Sequence, residues 1–134
     1  MTAKEFLLRA RRLQARIDQL EDAKKDVWEK STYAADTGAA SQRPAAVKRR
    51  TEAYGAYVDK IDAERARLLR MKLEILEVIG QLQDNTLAAL LTAYYINGKT
   101  WEQTAVEIHY SYFRTVHDKH PQALVAVEEL LKKK

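Results

Sequence analysis

The sequence predicts an all-α fold, on three observations. Apolar residues recur in alternating steps of four and three over most of the first 82 positions, the spacing of a single helix face. Only four glycines and two prolines punctuate 134 residues, too few for the turns of a β-sandwich or barrel or for a glycine-rich cofactor loop. Charged residues, 31% of the chain, fill the positions between the apolar ones, as on solvated helix faces. The expected architecture is a long antiparallel helical hairpin, a coiled coil, over residues 1–83 and a domain of short helices over 84–134.

The first stripe runs Phe6, Ala10, Leu13, Ile17, Leu20, Lys24, Val27 and Ala34. Phe6, Leu13, Leu20, Val27 and Ala34 form one row of a heptad seam, and Ala10 and Ile17 the other, which Lys24 and Ser31 weaken. Residues 36–44 are small and turn-forming and predict a loop, with Pro44 in the first turn of the next helix. The second seam has Val47, Tyr54, Ile61, Leu68, Ile75 and Leu82 seven apart, with Val58 and Ile79 between them. A helix over 44–82 runs about 58 Å, far more than a small domain needs, so the two helices are expected to pair antiparallel. Arg65 and Lys72 interrupt the second seam, and Leu69 and Leu76 widen its stripe. That pattern fits either a broadened face for a further partner or a seam open to solvent.

Any of Asp84, Asn85 and Thr86 can cap a third helix beginning near Leu87. Leu87, Leu90, Leu91, Tyr94 and Tyr95 form its apolar face, and Asn97-Gly98 ends it. Thr100 caps a short helix over 101–109, with Gln103 completing a capping box and Trp101, Ala105 and Ile108 facing inward. Ser111 caps the last helix, on which Val116, His120, Ala123, Val127 and Leu130 share a face, and Pro121 is expected to bend or restart it.

Composition narrows the function. No cysteine is present, which excludes disulfides, thiolate zinc sites and a cysteine nucleophile and suits a reducing compartment. The longest uncharged stretch, residues 85–98, is too short to span a bilayer, and Lys4, Glu5 and Arg9 break any apolar leader, so a cytoplasmic protein without membrane partners is expected. Net charge is +4, but residues 1–83 hold 17 basic and 13 acidic side chains while 84–134 hold six of each. The C-terminal part therefore attracts phosphate only weakly through charge.

Two short helices joined by a tight turn, with Ala105 and Val116 where they would touch, make a helix-turn-helix pattern. In that geometry the second helix enters a major groove about 12 Å wide, and side chains near its N-terminus reach base edges. The stretch Tyr94-Tyr95-Ile-Asn-Gly-Lys-Thr-Trp-Glu-Gln-Thr-Ala-Val-Glu-Ile-His-Tyr-Ser-Tyr, followed by Val116 and residues 120–124, resembles region 4 of bacterial sigma factors. Together with the opening Thr2-Ala-Lys-Glu-Phe-Leu-Leu-Arg-Ala-Arg-Arg-Leu and the long helical arm, it is similar to a family of small phage and prophage proteins with a sigma-factor region-4-like C-terminus. The resemblance covers nearly the whole chain. It implies a regulator of phage transcription, often of late genes, with double-stranded DNA and RNA polymerase as partners. Two departures stand out: one residue more between Ser111 and Val116 than that family's spacing has, and Pro121 where glycine is common there. One residue turns a helix by about 100°, so Arg114 and Thr115 can each face the groove or the interior.

Arg114 is the foremost candidate for a base contact, because a guanidinium grips guanine bidentately. Tyr112, Thr115, His117 and Asp118 are further base candidates, and Lys99, Gln103 and Lys119 are candidates for phosphate. Phe113 is assigned to the core. The basic runs at Arg9, Arg11, Arg12 and Arg16 and at residues 48–50 fit a contact to DNA or polymerase, but are read first as solvated helix faces. His117 and His120 lie three apart, but no carboxylate or thiol completes a metal set, so no metal and no cofactor are expected. Ser111 lacks the strand-turn-helix setting of a nucleophile, and no enzyme is expected. A homo-oligomer, most simply a dimer, or a docked partner is expected along the seam Phe6, Leu13, Ile17, Leu20, Val27, Tyr54, Ile61, Leu68 and Ile75. Two other functions fit the same pattern: the small DNA-recognition subunit of a phage packaging terminase, and a coiled-coil adaptor that binds protein only.

Overall fold

The computed structural model describes residues 1–36 and 44–133, the side chains of 30–36, 44 and 46 excepted. Every regular element among them is helical: α1 (Ala3–Asp36), α2 (Pro44–Ile79), α3 (Asn85–Leu91), α4 (Trp101–Ile108), α5 (Tyr112–Arg114) and α6 (His120–Lys132). Two π-helical segments, Thr92–Ile96 and Thr115–Lys119, continue α3 and join α5 to α6. No described helix is long and apolar enough to cross a membrane. The loop expected over 36–44 falls almost wholly outside the described residues, and α2 begins at Pro44 and ends at Ile79, three residues before the expected Leu82.

The chain divides into two units, residues 13–67 and residues 1–12 with 68–134. In the first, α1 and α2 run in opposite directions, since Glu21 pairs with Arg65 and Trp28 packs on Tyr54 with ring centroids 5.3 Å apart. Ile17 and Ile61 are buried there, each apolar side chain removing about 1.5–3 kcal/mol of hydration cost. Lys24, which weakens the apolar row, bonds Glu21 at 3.0 Å and lies 5.8 Å from the Tyr54 ring centre, so its stem packs while its charge is met. The seam also holds a carboxylate the periodicity does not reveal. Glu64 is 7% exposed, with Lys60 at 3.5 Å, Arg67 at 3.8 Å and Arg16 at 3.9 Å, and one of its oxygens has no hydrogen bond.

The second unit gathers both ends of the chain. Ala3, Phe6, Leu7 and Ala10 of α1 are buried in it with Leu68, Met71, Ile75, Val78 and Ile79 of α2. Glu128 of α6 accepts the Ala3 N–H at 2.7 Å. Around α3, α4 and α6 the core is Leu87, Leu90, Leu91, Tyr95, Ile96, Ala105, Ile108, Ala123 and Val127. The helix starts follow the sequence closely. Asp84 caps α3 by accepting the N–H groups of Thr86 and Leu87, Thr100 and Gln103 form the capping box of α4, and Ser111 accepts the Arg114 N–H at 3.1 Å. Gly98, at φ 68°, turns the chain between α3 and α4 in the left-handed region where glycine carries no penalty.

Of the nine seam residues, Phe6, Leu13, Ile17, Ile61, Leu68 and Ile75 are buried and Leu20, Val27 and Tyr54 half-buried within the single chain. Leu69, one of the two residues widening the stripe, is exposed, and Leu76 is half-buried.

Candidate nucleic-acid interface

The candidate site is built on α4, a three-residue turn and the helix that Ser111 starts. α4 ends at His109, which takes the left-handed conformation at φ 64° and lets its N–H reach back to the Ala105 and Val106 carbonyls. A residue with a Cβ is costly there, about 1–2 kcal/mol, so the sharp reversal is imposed by the packing on either side of it. Ala105 is buried, its small side chain allowing α4 to lie close to the following helix. Across from α4 the fully buried residue is Thr115, whose hydroxyl donates to the Ser111 carbonyl at 2.7 Å.

This corrects two expectations. Thr115, a base candidate, faces the interior and is 0% exposed, and Val116, expected at the helix contact, is only half-buried. The physical reason is the π segment. Thr115 and Ala123 are eight residues apart and would stand about 80° apart around an unbroken α-helix. In Thr115–Lys119 one residue is absorbed, the His120 N–H bonding the Thr115 carbonyl five residues back. The angle closes to about 20°, and Thr115, Ala123 and Val127 are all buried, each 0% exposed. Pro121 follows at once, where the missing N–H and the ring's clash with the preceding turn are least felt, and α6 continues past it.

The remaining candidates lie at the surface. Arg114 and Asp118 form an ion pair at 3.8 Å, one helical turn apart, and both are more than half exposed. The Arg114 guanidinium also lies 5.1 Å from the Tyr110 ring centre, and the Lys119 ammonium lies 4.9 Å from the same ring. Tyr110 therefore holds two cations beside the helix that Ser111 starts, a role no periodicity in the sequence marks. His117 is exposed and packs on Phe113 at 4.6 Å. Phe113, assigned to the core from its residue type, is 68% exposed, and Tyr112 is 47% exposed. Placing Ser111 as the cap puts positions 112–114 in the first turn, and the inward phase then falls on Thr115 instead.

The phosphate candidates differ in freedom. The Gln103 side-chain oxygen accepts the Thr100 N–H at 3.0 Å, so its carbonyl is committed to the capping box while its amide hydrogens stay outward. Lys99 is half-buried, and its carbonyl accepts from Arg11 at 3.4 Å. Arg11 is itself a correction to the reading of that basic run as a solvated face. Its guanidinium donates to the Tyr94 carbonyl at 2.7 Å and covers the Tyr94 ring at 4.1 Å, tying α1 to the approach of α4. Beneath it Tyr94 stacks on Trp101 at 3.7 Å, and Trp101 meets His120 edge-on at 4.6 Å.

His120 is half-buried against the aromatic cluster. Its Nε2 lies 2.7 Å from the Tyr95 hydroxyl. Burial first, and the charge of Lys4 second, pull its pKa down to about 4. Burial, with the neighbouring Tyr94 adding to it, pushes the Tyr95 phenol well up, so a protonated hydroxyl shares the hydrogen bond with a neutral imidazole. Among the described residues no group of three histidine or carboxylate side chains is placed to hold a metal. No family model, curated protein or solved structure matches the chain.

Proposed function

We propose that the chain is a sequence-specific double-stranded DNA-binding protein, a helical hairpin carrying a helix-turn-helix. Its role on this reading is that of a phage-type transcription regulator resembling sigma factor region 4, acting on late genes with or through RNA polymerase. The observation that carries the reading is the coupling of a left-handed residue at 109 to a Ser111-capped helix that turns Thr115 inward and keeps Arg114, His117 and Asp118 outward. Such a helix offers its N-terminal turn to base edges while the preceding helix steadies phosphates. Arg114 then reads guanine, with Tyr110 and Asp118 limiting its rotamers before DNA arrives. Lys119 and Lys99 serve the backbone, and Gln103 adds its amide.

Selection from random duplex DNA at moderate salt tests this, with Arg114→Ala beside the parent. An enriched motif is expected, and the mutant should lose about 1–3 kcal/mol of discrimination at one base pair. If the parent enriches nothing, the reading falls. One set of observations favours a different class, an adaptor that binds protein through the same face. Val106 is 76%, Phe113 68% and Tyr112 47% exposed, and residues 84–134 carry equal numbers of acidic and basic side chains. Retention of partner binding in Arg114→Ala/Lys119→Ala, with no DNA affinity in the parent, would decide for the adaptor.

A further inference from the structure

Residues 68–80 at the end of α2 are apolar on two opposite sides. One side is spent on the core, with Leu68, Met71, Ile75, Val78 and Ile79 all buried. On the other, Leu69 is 59% and Leu73 57% exposed, Leu76 is half-buried and Gly80 is exposed. At about 100° per residue these four fall within roughly 60° of one another, on the far side from the core. Their spacing is four, three and four, the rhythm of a coiled-coil seam distinct from the one that pairs α1 with α2. Two leucines one turn apart on a solvent face form an apolar stripe outside the core.

The charges beside the stripe indicate which helix fits it. Arg70 and Glu77 flank it on the same side, one heptad apart, and both are exposed. Too far apart to bond each other, neither has an ion-pair partner among the described residues. Opposite charges on one side of a seam are self-complementary under a two-fold axis that reverses the helix direction, since such an axis brings like flanks together.

We infer that this face of α2 pairs with the same face of a second copy, antiparallel, about a two-fold axis between residues 74 and 75. Leu73 of one copy lies against Leu76 of the other, Leu69 sits over Gly80, where the absent side chain leaves room, and Arg70 meets Glu77 twice. Charge selects this register. Sliding the copies so that Leu69 meets Leu73 sets Arg70 against Arg70 and Lys72 against Lys72. The pairing does not depend on DNA binding. It leaves the internal seam intact and joins two reading helices in one particle, which raises affinity for paired half-sites through effective concentration.

Sedimentation of the full chain over about 1–100 µM tests the pairing, with a dimer expected for the parent. Leu73→Lys should weaken association at least tenfold while its helix content, and its urea midpoint at concentrations low enough for the parent to be monomeric, stay those of the parent. A parent that is monomeric throughout would overturn the inference, as would a Leu73→Lys chain that dimerises as well as the parent. The direction is tested by cross-linking, for which the absence of native cysteine makes each introduced thiol unique. Oxidising a mixture of Arg70→Cys and Glu77→Cys chains should give a covalent dimer that neither gives alone. Cross-linking in a mixture of Lys72→Cys and Glu77→Cys chains instead would show a parallel pair and sink the antiparallel register.

Discussion

At the residue scale the most informative group is His120. Its ring is neutral in the fold because burial and Lys4 disfavour the charge, holding its pKa to about 4 against an unfolded value near 6.5. Between those values the unfolded chain takes up a proton that the folded chain refuses, so stability falls as pH drops from about 6.5 toward 4 and is level above. Urea midpoints at pH 7 and pH 5 should separate more for the parent than for His120→Gln, and equal separations would show that the ring carries no linkage. His109 offers a change in the opposite sense. Its φ of 64° is one a glycine adopts freely, so His109→Gly should stabilise by about 0.5–1 kcal/mol in urea unfolding. A loss of stability there would mean that the imidazole makes a contact worth more than the backbone strain.

At the element scale caps and seams divide the work. Thr100 and Ser111 each satisfy an N-terminal N–H of the site's two helices, and Thr100→Ala or Ser111→Ala should cost about 1 kcal/mol in thermal unfolding. Ser111→Ala carries a second consequence, because that helix start sets where Arg114 stands, so base selection should blur in Ser111→Ala and hold in Thr100→Ala. Glu64 sets the element-scale test for the α1–α2 pair. A carboxylate with an unbonded oxygen, buried among three cations that stay near the surface, loses more hydration than it regains. Glu64→Met should therefore stabilise the fold by about 1–2 kcal/mol, seen as a raised urea midpoint. A lowered midpoint would mean that the three cations repay the burial.

At the scale of the whole molecule, charge and assembly set how the proposed DNA binding should respond to salt. Residues 84–134 hold six basic and six acidic side chains, three of the basic ones being the chain's last residues. With only Lys99, Arg114 and Lys119 placed as cations in the site, each copy should show a slope of log K against log salt of roughly −3, far shallower than that of a basic-arm binder. Fluorescence anisotropy on the selected duplex from low to moderate salt measures it. A slope several times steeper would bring the basic runs of α1 and α2 into the contact. A dimer paired through Leu69 and Leu73 should double the slope when both half-sites are present.

Helix content, the caps at Thr100 and Ser111 and the two heptad seams follow from the sequence alone, and the cap of α3 is narrowed to Asp84, Asn85 or Thr86, because spacing, side-chain hydrogen bonding and turn chemistry act within a few residues of each other. Asp84, Thr100, Ser111 and Gly98 stand where their residue types place them. What lay beyond the sequence were the choices that depend on residues distant in the chain. Arg11 is half-buried because Tyr94 and Lys99, more than 80 positions away, present carbonyls to it. Phe113 turned outward because it stands in the first turn after the Ser111 cap, and Thr115 shares the inward face with Ala123 because a π turn absorbed one residue, and a single chain does not reveal where a helix will widen. The seam residues and Leu69 with Leu73 are all apolar at helical spacing, yet only packing shows which stripe the chain consumes and which it leaves bare. Local pattern defines what each segment can become, and the competition among faces for one buried core decides which way each side chain points.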